Sequence, residues 1–387
     1  MKRFLAVFLM LAILLTGLAV SASAATTGWQ KEGDYWYYYK ADGTMVTSDW
    51  VQSSGKWYYL DEDGVMMQDQ IFLDKDGKWY AADKNGAMIA NGWFSEKGES
   101  EKWDGTPYTE TWWYYAGANG ELIRGWKLIG GKWYYFEELE DIEPYMFSNC
   151  YDGIKGKWYG FKGSGEMIVG WGQPWIDDPG NVYPDTDWVY GNADGSLAEG
   201  WKKIDGKWYF FWPDMPYMAR NTVVQIKDGQ YSYKDPTAPI YGFTKSGAMV
   251  ENAWFRQTYE YLDGTVEYGP WFYFGKDGAA KKGWLQDKGK WYYLDAETGA
   301  MQTGLIEMTD GKIYYLDETT GAMVTGWKQI ENNWFFFKDS GALAVKEWVK
   351  SGSAWYYLKE DGQMAKDEIL TIDGKPYKFD ANGVWVP

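Results

Sequence analysis

A tryptophan followed seven positions later by a second tryptophan occurs in seven clean copies, starting at Trp29, Trp50, Trp126, Trp201, Trp284, Trp327 and Trp348. Looser copies fill the gaps, so units begin near Trp29, Trp50, Ile71, Trp93, Trp126, Tyr151, Trp171, Trp201, Gln225, Trp254, Trp284, Leu305, Trp327, Trp348 and Glu368. The spacing is about 21 residues wherever nothing is inserted. A short period that covers nearly the whole chain predicts a stack of like units, each burying its apolar face against the next.

Within a unit the pattern reads as a hairpin. In "WKKIDGKWYFF" (201–211) Asp205-Gly206 separates two short runs, and Asp-Gly suits a two-residue type I′ turn because both central residues take positive φ. Side chains alternate along a strand, so in "KWYYL" (290–294) Trp291 and Tyr293 share one face, and Tyr292 and Leu294 share the other. The last position is apolar at Leu60, Phe136, Phe161, Phe211, Phe274, Leu294, Leu316, Phe337 and Leu358, which marks that face as core. The face with the tryptophan is left for the seam between units. The expected fold is all-β: a β-solenoid of stacked hairpins without a separate catalytic domain.

Residues 1–24 read differently. Lys2 and Arg3 precede an apolar run to Val20, and Ala22-Ser23-Ala24 supplies a small-residue cleavage pattern, so a signal peptide is expected and an uncleaved anchor is the alternative. The remainder divides into regular repeats (25–92), repeats with acidic, Pro-containing insertions (93–283) and regular repeats again (284–387). The insertions, such as 137–149 and 174–187, read as surface loops.

Charge and composition narrow the function. The formal net charge is −17, and loss of Lys2 and Arg3 makes it more negative, which disfavours nucleic acid and anionic membrane as partners. The absence of histidine excludes Ser-His-Asp and Cys-His catalysis and His-ligated zinc, and the single cysteine excludes an internal disulfide. No cofactor or metal is expected. Aromatic residues make up 20% of the chain, far more than packing by Leu, Val and Ile would require. Such rings either form a ladder that holds hairpins together or offer their faces to a ligand.

The unit "GWLQDKGKWYYLDAETGAMQTG" (283–304) resembles the cell-wall-binding repeat of choline-binding proteins, with related repeats in glucan-binding proteins and clostridial toxins. The resemblance covers residues 28–387. It implies stacked hairpins that hold choline from teichoic acid between the opening tryptophan and second-strand tryptophan of one repeat and the second tyrosine of the next, often with a methionine. Carried onto this chain, the sets are Trp29, Trp36 and Tyr59; Trp93, Trp113 and Tyr135; Trp254, Trp271 and Tyr293; Trp284, Trp291 and Tyr315; and Trp327, Trp334 and Tyr357. Ala81, Gly160 and Lys378 break the set elsewhere. The methionines of the Gly-x-Met segment read as core filler.

The implied protein is secreted, cell-wall associated and non-catalytic, with choline or phosphocholine on teichoic acid, or a wall or extracellular polysaccharide, as partner. Ring faces suit a quaternary ammonium, which donates no strong hydrogen bond. Sugar binding by aromatic stacking, with polar groups from the turns, is the second reading. A wall hydrolase using the loop carboxylates Asp177, Asp178, Asp185 and Asp187 is the third.

Overall fold

The structure is a computed structural model that describes residues 27–101, 107–174, 188–232, 235, 237–261 and 264–387. The expected signal peptide and the four loop carboxylates lie outside the described residues. Every regular element among those described is a β-strand, and antiparallel hairpins recur along the chain.

The hairpin Gly283–Asp287 with Lys290–Leu294 represents the unit. Gly283 faces Leu294, Trp284 faces Tyr293 and Gln286 faces Trp291. The turn is Lys288-Gly289, both at positive φ (48° and 78°), as a type I′ turn requires. Asp205-Gly206 makes the same turn, with φ of 48° and 82°. Other Asp-Gly pairs serve a second turn, after the second strand. In 61–64 the Asp61 carboxylate accepts the backbone N–H groups of Asp63 and Val65, while Gly64 N–H bonds the Asp61 carbonyl at 3.0 Å. That turn returns the chain so that Met66 bridges Leu60.

Met66 then links hairpins. Its N–H donates to the Trp36 carbonyl of the preceding hairpin at 2.9 Å. The same clasp joins Met88 to Trp57 and Met146 to Trp113, and later Met301 to Trp271, Met323 to Trp291 and Met364 to Trp334, all at 2.7–2.8 Å. The methionine side chain runs onward beneath the next Gly-x-Met glycine. A Cβ on Gly86 would stand 2.6 Å from the Met66 sulfur, and Gly86 also sits at φ 81°, so two independent demands select glycine there.

Contacts divide the chain into two units. Among the described residues, one holds those up to 151 with 161–167 and 174, and the other those in 152–160, 168–173 and from 188 on. In the first, Val46, Val51, Leu60 and Met66 form a core cluster with Trp29, Trp36, Tyr38 and Tyr58 packed around it. In the second, Ala344, Val349, Leu358 and Met364 do so with Trp327, Phe336 and Tyr356. All nine apolar positions expected in the core have no exposed surface. Met66, Met146 and Met364 are buried and form part of the ladder between hairpins, whereas Met45 is exposed.

Two unit starts need correction. Thr222 faces Phe243 and Glu368 faces Phe379, which puts Val223 and Ile369, not Gln225 and Glu368, at the opening position. Without a tryptophan to mark it, the register of these copies is set by pairing. The acidic loop at 137–149 is ordered around Arg124, whose guanidinium donates to the carbonyls of Glu137, Leu139, Glu140 and Ile142 at 2.6–3.3 Å.

Candidate aromatic-binding site

Second-strand tryptophans share an unusual exposure. Trp57, Trp113, Trp133, Trp208, Trp271, Trp291, Trp334 and Trp355 each keep 37–44% of their surface in solvent. A large apolar ring held partly open in each of these eight hairpins is the kind of surface that marks binding. Strand parity explains it: the ring stands on the face opposite the buried Leu or Phe, at the seam with the next hairpin.

At the seam after Trp284, three rings from the same hairpin and one from the next converge. Trp284 lies edge-on to Trp291 (6.5 Å between centroids), to Tyr293 (5.2 Å) and to Tyr314 of the following hairpin (4.8 Å). The seam after Trp327 repeats this with Trp334 (6.5 Å), Phe336 (5.2 Å) and Tyr356 (4.9 Å). There Trp327, Trp334, Tyr356 and Met364 line an open cleft of about 440 Å³, whose rim includes Gln329, Lys366 and Asn382. The first seam builds an equivalent cleft of about 370 Å³ from Trp29, Trp36, Tyr58 and Met66, with Gln68, Lys84 and Asn85 at the rim. Each cleft thus takes tryptophans from one repeat, a tyrosine and a methionine from the next, and an asparagine from the loop after that.

The expected pairs of tryptophans lie at the seams, but the expected tyrosines do not meet the pairs they were assigned to. Tyr59, Tyr135, Tyr293 and Tyr357 pack beside the opening tryptophan of their own repeat, at 5.1, 5.0, 5.2 and 5.2 Å from Trp50, Trp126, Trp284 and Trp348. Tyr315 packs on Phe337 at 6.0 Å. The second tyrosine shares its face with the second-strand tryptophan, so it points toward the following seam, not back toward the preceding one. The ring that points back is the first tyrosine. Tyr58, Tyr134, Tyr292, Tyr314 and Tyr356 lie 5.0, 5.2, 4.9, 4.8 and 4.9 Å from Trp29, Trp93, Trp254, Trp284 and Trp327. The alternation in "KWYYL" was the signal that finds them.

This shift completes the seam at Trp50, which had looked broken, and adds a ring at others. Tyr80 stands 4.7 Å from Trp50 where Ala81 had appeared to leave a gap, Tyr209 stands 4.9 Å from Trp171, and Tyr241 stands 4.8 Å from Trp201. At the last hairpin Tyr377, not Lys378, meets Trp348 at 5.0 Å, and Trp385 packs on both rings.

Polar groups around the seams are mostly satisfied by fixed partners. Trp254 Nε1 donates to Asp287 at 3.0 Å, and Trp50 Nε1 donates to the buried Asp74 at 3.4 Å. Asp74 also accepts the N–H groups of Asp76 and Lys78. Among the described residues no group of three or more acidic or cysteine side chains is placed to hold a metal ion. Such surroundings offer ring faces flanked by amides and, at the rims of the two clefts, a lysine.

Residues 26–63, 46–93, 266–304 and 345–385 match the choline-binding repeat, and 125–138, 199–211 and 325–343 match the putative cell wall binding repeat, together about half of the chain. A search of curated proteins finds Glucosyltransferase-S of Streptococcus mutans, 26% identical over 54% of this chain and 12% of that protein. It also finds Glucosyltransferase-I of Streptococcus downei, 26% identical over 70% of this chain and 16% of that protein. The chain therefore spans less than a fifth of these curated relatives. Among solved structures, CbpJ from Streptococcus pneumoniae is similar at 23% identity and a TM-score of 0.32, over 87% of this chain and all of that one. The choline-binding domain of CbpL from the same species matches 49% of this chain and 98% of that one, at 26% identity and a TM-score of 0.32. The chain belongs to the choline-binding, or cell-wall-binding, repeat family.

Proposed function

We propose that the chain is an exported, non-catalytic protein that attaches to the cell wall by holding choline groups of a surface polymer in its aromatic seams. The observation that carries this reading is the cleft in which Trp327, Trp334, Tyr356 and Met364 converge, repeated at Trp29, Trp36, Tyr58 and Met66. Three ring faces suit a quaternary ammonium, each contributing about 0.5–2 kcal/mol according to how far the cation is desolvated. A single seam of that strength binds choline at about the millimolar level. Many seams engaging one polymer raise the combined affinity through effective concentration.

Lys366 on the rim of one cleft and Lys84 on the rim of the other would repel the ammonium but attract the phosphate of phosphocholine. Phosphocholine is accordingly the better ligand. A second reading draws on the neutral members of the rim: Gln329, Asn332, Ser351 and Asn382 would orient sugar hydroxyls over the tryptophan faces.

Calorimetric titration with phosphocholine, choline, 3,3-dimethylbutan-1-ol and an isomalto-oligosaccharide separates the readings. The butanol has choline's shape without its charge. Binding of phosphocholine and choline with loss of the neutral isostere is expected. Equal binding of the isostere would leave only an apolar cleft, and preferential binding of the oligosaccharide would replace the choline reading by the sugar one. Incubation with purified wall should release no soluble muropeptide.

A further inference from the structure

Not every seam presents its rings in the same state. In the regular hairpins the residue two after the opening tryptophan faces the second-strand tryptophan: Gln286 faces Trp291 and Gln329 faces Trp334. In the hairpin Ala253–Phe255 with Phe272–Phe274, Trp254 faces Tyr273 and Phe255 faces Phe272. One step further in that register puts Arg256 opposite Trp271. Its guanidinium carbon lies 4.9 Å from the Trp271 ring centroid and 3.9 Å from that of Tyr268.

Tyr268 comes from an added hairpin, Thr258–Glu260 with Val266–Tyr268, that the regular repeats lack. Its insertion brings a further ring to the seam, and the guanidinium lies between that ring and Trp271. Lys31, Lys203 and Lys350 also stand over Trp36, Trp208 and Trp355, but each meets one ring, at 5.9, 5.7 and 5.8 Å. A planar guanidinium stacks on aromatic faces and is more weakly hydrated than an ammonium, so Arg256 is the stronger internal ligand.

The geometry points to a seam at Trp254, Trp271 and Tyr292 that is plugged by the chain's own cation, Arg256, and so takes no choline. This rests on the proposed choline reading of the open seams. A ligand ammonium entering here would have to displace the guanidinium from Trp271 or accept a like charge beside it, and both oppose binding. The added hairpin thereby sets the spacing of usable sites along the polymer: the seam keeps its three aromatic residues, while the neighbouring seam at Trp284, with Gln286 in the equivalent place, stays open.

Equilibrium dialysis of the full chain against saturating labelled choline counts occupied seams. Arg256→Gln, which installs the residue type found at Gln286 and Gln329, is expected to add one choline per chain, and Trp271→Ala in that background should remove the gain. An unchanged count in Arg256→Gln overturns the proposal. Failure of the underlying reading looks different: Trp334→Ala would then leave the wild-type count as it was.

Discussion

Trp284 and Tyr314 belong to successive hairpins, yet their ring centroids lie 4.8 Å apart at 64°. Tyr315, one residue on, turns to the other face, where it is buried and packs against Phe337. The two tyrosines therefore carry different burdens. Tyr314→Ala is expected to abolish choline binding at this seam with the fold retained. Tyr315→Ala should destabilise the protein by about 3 kcal/mol, as truncation of a buried aromatic does. Denaturant titration beside calorimetry checks both, and the opposite assignment of losses would mean that the seam is built from the other tyrosine.

Gly77 and Gly86 share a repeat and a positive φ, 74° and 81°, but differ in what surrounds them. Nothing lies within 4 Å of a Cβ at Gly77, whereas at Gly86 it meets the Met66 sulfur. Gly77→Ala should cost only the left-handed strain, about 1–2 kcal/mol. Gly86→Ala should cost about 1–3 kcal/mol more for overpacking. Because Met66 also lines the cleft with Trp29, Trp36 and Tyr58, Gly86→Ala should weaken choline binding there while Gly77→Ala does not. Equal thermal shifts for the two variants would remove the methionine ladder from the account.

Acid should loosen the second unit at defined places. Hydrogen bonds from Ser196, followed by the Lys157 ion pair, hold the Asp194 carboxyl down at about 2, and the Lys227 pair together with Thr237 does the same for Asp235. A carboxylate depressed in the folded state contributes stability that is present above its unfolded pKa, about 3.9, and is lost as pH falls through the folded value. The loss contributed by these two should fall between about pH 4 and pH 2. Asp194 is exposed and Asp235 is partly so, so the effect is modest. Asp235→Asn should flatten this part of the acid limb in a pH series of melting temperatures, and an unchanged limb would count against it.

Choline binding itself should be nearly independent of pH from 5.5 to 8.5. The ligand's charge is permanent, and the chain contains no histidine to titrate in that range. Titrations across the range should agree within about twofold. A larger change would require an ionisable group at the seam that the ring geometry does not include.

Much of this protein was legible before any coordinates. The period came from the tryptophans, the turn at Asp205-Gly206 from its Asp-Gly pair, and the core from the apolar position that closes each second strand. These are local properties: a two-residue turn fixes the register of its own hairpin, and alternation fixes which side chains share a face. Parity even contained the right tyrosine, since Tyr314 shares its face with buried Leu316 and must therefore look toward the preceding hairpin. Tertiary structure decided what happens between hairpins. Only stacking sets Met66 N–H on the Trp36 carbonyl and seats the methionine under Gly86. Only stacking, too, lets an inserted hairpin carry Tyr268 to Arg256 over Trp271. Contacts of this kind join residues from different repeats through backbone placement, and a repeated sequence, nearly the same in every copy, carries no mark of which copies will meet.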